Sequence, residues 1–172
     1  MKEAEQLFYS TLKIKGILFK VFASHKGILK IYINDIGTKI KRGEAIKLHP
    51  DDPYMNNVFK QLKEYFNMER KEFDIPLDLR GTDFQKEVWK ELTKIPYGKT
   101  ISYKELAIKM GGAAKSRAVG QANSLNPTPI VVPCHRVINT DGKLGGYSCG
   151  LDVKEMLLEL EGKLSLELFE EV

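Results

Sequence analysis

Apolar and polar positions alternate through the first part of the chain, then recur every three or four residues through its second half. Phe8 to Leu12, Ile17 to Phe22 and Ile28 to Ile33 are short runs rich in β-branched and aromatic residues, punctuated by Gly16 and Gly27. That pattern predicts an antiparallel meander of three strands. Pro53 to Asn67 places Val58, Phe59, Leu62 and Phe66 on one helical face. Phe73 to Leu79 contains a proline and is expected to be extended. From Gly81 the period is helical. Thr82 with Gln85 and Ser102 with Glu105 have the spacing of capping boxes, in which each side chain of the pair bonds the other residue's amide. Phe84, Val88 and Leu92 line the first of these helices, and Leu106 and Met110 face inward on the second. Gly111-Gly112 ends that second helix, and a third is expected to run through Lys115 to Ala122. Two short helices joined by a glycine turn have the outline of a helix-turn-helix. A last helix is expected to start at an Asp152/Glu155 cap, with Val153, Leu157, Leu160 and Leu164 on its apolar face. The change of period divides the chain into residues 1–80 and 81–172. The fold class is α+β, an α/β unit followed by a mostly helical one.

The third helix of the C-terminal half is thin. Ser116, Ala118, Gly120 and Ala122 leave it little side-chain bulk, so its backbone can press close to another helix or enter the narrow minor groove of DNA. Arg117 is its only arginine. Charge adds to this picture. Eight lysines and arginines lie between Lys94 and Lys143, opposed only by Glu105 and Asp141. A basic centre of this kind suits a polyanion, or else a solvated lysine-rich surface.

Composition is that of an ordinary soluble protein, 42% hydrophobic and 29% charged over 172 residues. No apolar run is long enough to cross a bilayer, and the first residues lack a signal-peptide core, so the expected location is the cytoplasm, with no membrane partner. Two cysteines make no disulfide framework. Neither metal-ligand spacing nor a glycine-rich nucleotide loop is present, so no metal and no cofactor is expected. His25 and His49 are isolated and read as surface or turn residues.

The chemistry concentrates at Pro133-Cys134-His135-Arg136-Val137. A free thiol is only a few percent ionised at neutral pH, and an adjacent base raises its use as a nucleophile. The preceding Asn126 to Val132 carries two prolines and reads as a stiff extended ramp. Most free cysteines, however, are small buried hydrophobes. Glu161 sits at the end of the last helix, where a carboxylate opposes the helix dipole. It is either solvated there or the buried partner of a histidine.

Taken together, Phe84-Gln85-x-x-Val88-Trp89, Ile95-Pro96-Tyr97-Gly98, Ser102-Tyr103-x-x-Leu106-Ala107, Arg117-Ala118-Val119-Gly120, Asn126-Pro127, Pro133 to Val137, Gly145-Gly146-Tyr147-Ser148 and Lys154-x-x-Leu157-Leu158-x-x-Glu161 resemble the O6-alkylguanine-DNA alkyltransferases. The resemblance covers Gly81 to about Leu164. Residues 1–80 match in outline only, as the family's small ribonuclease-H-like domain. It implies a winged-helix or helix-turn-helix-like second domain that binds duplex DNA by its minor groove, as a monomer, and flips the damaged guanine into a pocket. The protein then takes the alkyl group irreversibly, acting once and without a cofactor. By the same resemblance Cys134 is the acceptor, His135 a base acting through water, and Glu161 its orienting partner. Asn126 ties the ramp to the helix-turn-helix, and Tyr103 donates to the guanine ring and crowds the adjacent phosphate. Val137, Ser148, Tyr147, Pro129 and Gly145 line the pocket. Arg117 fills the vacated stack, with Ser116, Lys115 and Ala118 beside it on the DNA.

Three positions depart from the family pattern. Cys149 stands where many members have glycine, Met156 where tryptophan is common, and Lys115 where some carry alanine. The rival functions are a non-catalytic damage-binding protein, whose known examples lack the cysteine, a cysteine hydrolase using Cys134, His135 and Glu161, and a redox switch through Cys134 and Cys149.

Overall fold

The computed structural model describes residues 5–35, 38–41 and 43–162, so Leu164 lies outside the described residues. The chain forms two compact units divided between Arg80 and Gly81.

In the first unit the three expected strands are present as β1 (Phe8–Ile14), β2 (Ile17–Ser24) and β3 (Gly27–Ile33), joined as antiparallel hairpins. A fourth strand, β4 (Ile46–Lys47), pairs parallel to β1 and gives the order β3-β2-β1-β4. Two residues are too few to show a period, which is why the pattern missed it. Alternation puts Phe19, Val21 and Ala23 of β2 on the buried face. Helix α1 (Pro53–Phe66) covers the sheet. Asp52 caps it and Pro53 supplies the preset first turn. Its buried stripe is Met55, Val58, Phe59, Leu62, Tyr65 and Phe66. The following connector is extended, as expected, and runs beside β3. Ile28 N donates to Pro76 O at 2.8 Å, and Asp78 N donates to Ile28 O at 2.9 Å.

The second unit begins with α2 (Asp83–Leu92) and α3 (Tyr103–Lys109), each opened by the predicted capping box. Met110 is half-buried, so Leu106 and Ala107 carry the inner face of α3. Helix α4 (Ser116–Ser124) follows a 3-10 turn at Ala113–Lys115. Trp89 Nε1 donates to Ala122 O at 2.8 Å and fastens the end of α4 to α2. Strands β5 (Ile101–Ser102) and β6 (Val137–Ile138) pair in parallel. Helix α5 (Leu151–Leu160) closes the unit.

Two sequence expectations fail here. The last helix is capped by Gly150, at φ 101°, with no side-chain cap bond. The helix starts two residues earlier than a cap at Asp152 would give, and Asp152 falls inside the first turn, where its charge still complements the dipole. The Asn126–Val132 segment is a closed loop and not an extended ramp. Val132 N donates to Thr128 O at 2.9 Å, and Ile130 has φ 74°. The loop is buried, and its prolines lack the N–H that a buried loop must otherwise satisfy.

At Gly27, φ is 150° and an added Cβ would stand 2.4 Å from Pro76 O. Gly27→Ala therefore pushes the connector off β3. The expected loss is roughly 1–3 kcal/mol of unfolding free energy in a urea titration.

Candidate active site

A single 3-10 turn, Cys134–Arg136, presents a thiol, an imidazole and a guanidinium in sequence, all buried. Val132 O receives the Cys134 amide at 2.8 Å, and the same carbonyl receives Asn126 Nδ2 at 2.8 Å. Asn126 Oδ1 accepts from Thr128 N at 3.0 Å. Asn126 thus closes the loop from the end of α4 onto the segment before Cys134, and its side chain also acts to lower the Cys134 thiol. A second tie between the helix-turn-helix and the Cys134 turn is Asn123. It is buried on α4, and its Nδ2 donates to Cys134 O at 3.4 Å.

Burial dominates the thiol. It pushes Cys134 up to about 11, against smaller lowering by the Asn126 and Tyr147 side chains and the Lys154 charge. At neutral pH Cys134 is a thiol. His135 is pushed down, first by burial, then by the positive charges of Arg136 and Lys154. Its bond to Glu161 works the other way. His135 Nε2 lies 2.8 Å from Glu161 Oε1, both side chains fully buried. Its Nδ1 has no partner among the described residues. Glu161, the C-cap of α5, also accepts Arg136 Nε at 2.9 Å, Arg136 Nη2 at 2.8 Å and Gly98 N at 3.2 Å. Despite burial, these donors hold its carboxyl down to about 2.

Gly145 and Gly120 lie close to the ring of Tyr103, the first residue of α3. A Cβ on Gly145 would come within 3.4 Å of that ring and 2.7 Å of Asn139 Oδ1; one on Gly120 would stand 3.8 Å from it. Gly145 also has φ 70°. Burial, more than the nearby Cys134, raises the Tyr103 hydroxyl, which is therefore a donor at neutral pH. Pro129 and Val137 are buried, Tyr147 is half-buried beside both thiols, and Ser148 is exposed. Cys149 is half-buried.

On α4, Arg117 and Ala118 are exposed, and Arg117 has no ion-pair partner among the described residues. Ser116 Oγ donates to Ala113 O at 2.7 Å. Lys115 turns back instead of outward, donating to Met110 O at 2.8 Å and lying 5.9 Å from the Phe84 ring. The basic centre is smaller than its count. Arg136 is buried on Glu161, and Lys94 and Lys109 both pair with Glu91.

Sequence reasoning missed the structural weight of Lys154. It is fully buried, and its ammonium donates to Val137 O at 2.7 Å, Gly146 O at 3.2 Å and Leu144 O. Burial lowers it to about 8. Its place three and four residues before Leu157 and Leu158 on the last helix was the available signal. Among the described residues no group of three or more His, Cys, Asp or Glu could hold a metal, and no helix is long and apolar enough to cross a membrane.

Residues 7–79 match the family described as 6-O-methylguanine DNA methyltransferase, ribonuclease-like domain, and residues 83–163 match its DNA binding domain. The chain belongs to that family. A methylated-DNA--protein-cysteine methyltransferase of Methanosarcina acetivorans is 52% identical over 131 residues, 76% of this chain and 84% of that protein. The protein of that name from Mycobacterium tuberculosis is 54% identical over 112 residues, 65% of this chain and 68% of its own. The crystal structure of Mycobacterium tuberculosis OGT in complex with DNA superposes with a TM-score of 0.80 at 40% identity, covering 91% of this chain and 93% of that one. The α+β class, a sheet-rich domain followed by a helical one, is that of the family.

Lys154→Met leaves three carbonyls without their donor. It is expected to cost about 3 kcal/mol and to open residues 144–150 to proteolysis. Acid should act on Glu161. Its folded value lies below its unfolded one, so its contribution is complete above about pH 4.5. That contribution is lost as pH falls toward about 2, and Glu161→Gln should flatten this part of the acid-unfolding curve.

Proposed function

We propose that the protein repairs DNA directly, transferring the O6-alkyl group of guanine, mainly methyl, to its own Cys134. The observation that carries this reading is the 2.8 Å His135–Glu161 contact on the turn that begins with the buried thiol. Sulfur attacks the alkyl carbon, an S–C bond forms, and the carbon–O6 bond breaks with its electron pair on guanine. The thiol proton passes through a water to His135 Nδ1, the free ring nitrogen. Tyr103 donates to the departing base. The thioether is stable, so each molecule acts once.

Access requires extrusion of the base, at a few kcal/mol. Helix α4 supplies the means. Its small outer residues Ser116 and Ala118 let the backbone approach the minor groove, and the unpaired Arg117 fills the vacated stack. Lys115 serves as a brace between α3 and α4, with its ammonium spent on Met110. Asn126, Val137, Ser148, Tyr147, Pro129 and Gly145 shape the pocket. The protein acts as a monomer on duplex DNA inside the cell. A sensor that binds damage without reacting is the weaker reading, because Cys134 stands beside an oriented base.

Incubation with excess duplex carrying one O6-methylguanine should add one methyl per protein, located on Cys134. An unchanged intact mass with bound duplex would mean a sensor. Cys134→Ala should bind DNA and transfer nothing. Arg117→Ala should slow repair of duplex DNA at least about tenfold, some 1.4 kcal/mol, and leave reaction with the free alkylated base nearly unchanged. Equal losses on both substrates would remove the stack-filling role.

A further inference from the structure

Glu161 serves two cations with one carboxylate. Arg136 grips it in fork geometry, Nη2 on Oε1 at 2.8 Å and Nε on Oε2 at 2.9 Å, while His135 Nε2 shares Oε1 at 2.8 Å. The guanidinium is fixed in turn by Nη1, which donates to Ile95 O at 2.7 Å, and by the Tyr97 ring 5.7 Å from its carbon. The three side chains are 0%, 6% and 0% exposed. In a nucleophile–base–carboxylate array with a bare carboxylate, the negative charge stabilises the imidazolium and draws the proton off the nucleophile. Here a full positive charge sits on the same carboxylate, in a bidentate pair that a lysine cannot reproduce.

We propose that Arg136 is a positioning residue for alkyl transfer: it holds Glu161 in one plane against His135 Nε2 and cancels its charge, so that the imidazole stays neutral, with Nδ1 ready to accept, until alkylated guanine is in the pocket. The inference rests on the reading of His135 as the base. The charged and titratable groups around that ring are Glu161 from the end of α5, Arg136 from its own turn, Lys154 from within α5, and the Cys134 thiol. Two of them are cations and one an anion, so the surroundings disfavour a further positive charge, as burial also does. The thiol next to it is pushed up by burial. The resting pair is therefore thiol and imidazole. Because one alkylation ends a molecule's use, a site that is not ionised at rest is spared by stray electrophiles.

The test is an NMR titration of the His135 ring in the unaltered protein, assigned by loss of its signals in His135→Asn. The ring should titrate below the ordinary histidine value of about 6.5; a titration above that value would overturn the proposal. Arg136→Lys keeps a cation but loses the fork, and Arg136→Met loses both. In these variants the ring should titrate higher by about one pH unit or more, and iodoacetamide should modify Cys134 faster in the free protein. Transfer from O6-methylguanine duplex should fall. An unmoved titration in folded Arg136→Lys would also overturn it, and if neither variant folds, the unaltered protein's titration decides alone. Failure of the underlying reading looks different. If His135→Asn transfers methyl as fast as the unaltered protein, His135 is not the base, whatever Arg136 does to its titration.

Discussion

Glu161 is charged, buried and placed at the end of a helix whose dipole opposes it. Such a group survives only with good partners, since removing an ion from water costs several kcal/mol even after relaxation. From the end of α5 it reaches partners in two other parts of the chain: Gly98 N from the turn after α2, and Arg136 and His135 from the Cys134 turn. The carboxylate therefore joins three segments far apart in sequence and sets where Cys134 stands relative to α5. Tyr97, whose hydroxyl donates to Leu160 O at 3.2 Å, seals the same corner.

A second buried charge performs the matching task on the other side of the nucleophile's segment. Lys154 faces three backbone carbonyls and no carboxylate among its hydrogen-bond partners. It joins β6 to the glycine-rich loop, which has few hydrogen bonds of its own. Those it has include Asn139 N to Lys143 O and Gly150 N to Tyr147 O. The walls of the pocket around Tyr103 thus hang from α5 through Lys154, as the base hangs from it through Glu161. Two residues seven apart, Lys154 in the first turn of α5 and Glu161 at its C-cap, hold the Cys134 turn and the glycine-rich loop, which explains how a loop with four glycines can present a defined surface.

The elements that were legible in the sequence are those in which local physics and tertiary packing agree. Two capping boxes, the α1 stripe and the β1–β3 alternation are formed where their patterns predict them. The failures share a cause, which is that a tertiary partner decides. β4 exists because Ile46 N finds Leu7 O and Leu48 N finds Tyr9 O. The 126–132 loop bends because Asn126 and Thr128 bond back to Val132, and no local rule for proline announces that. Cys134, His135 and Glu161 stood out by residue type and motif. Asn123 did not, and Arg136 and Lys154 lay within the matched motifs without a role, because an asparagine, an arginine and a lysine are ordinarily surface residues. Only the buried bonds give them a role.

The thiol's environment bears on how a protein used once manages its nucleophile. An exposed, ionised cysteine reacts with any electrophile that reaches it. Cys134 is 1% exposed and its burial favours the thiol. The groups that favour ionisation, the Asn126 and Tyr147 side chains and the Lys154 charge, are present but outweighed. The balance is therefore set close by, from polar groups already aimed at the sulfur. On the proposed mechanism, a flipped base that fills the pocket changes the sulfur's surroundings without any new residue having to move in, and the developing charge on guanine would meet a Tyr103 hydroxyl that is still protonated. Reactivity then depends on the occupant more than on pH, which fits a reagent that must wait intact for one lesion.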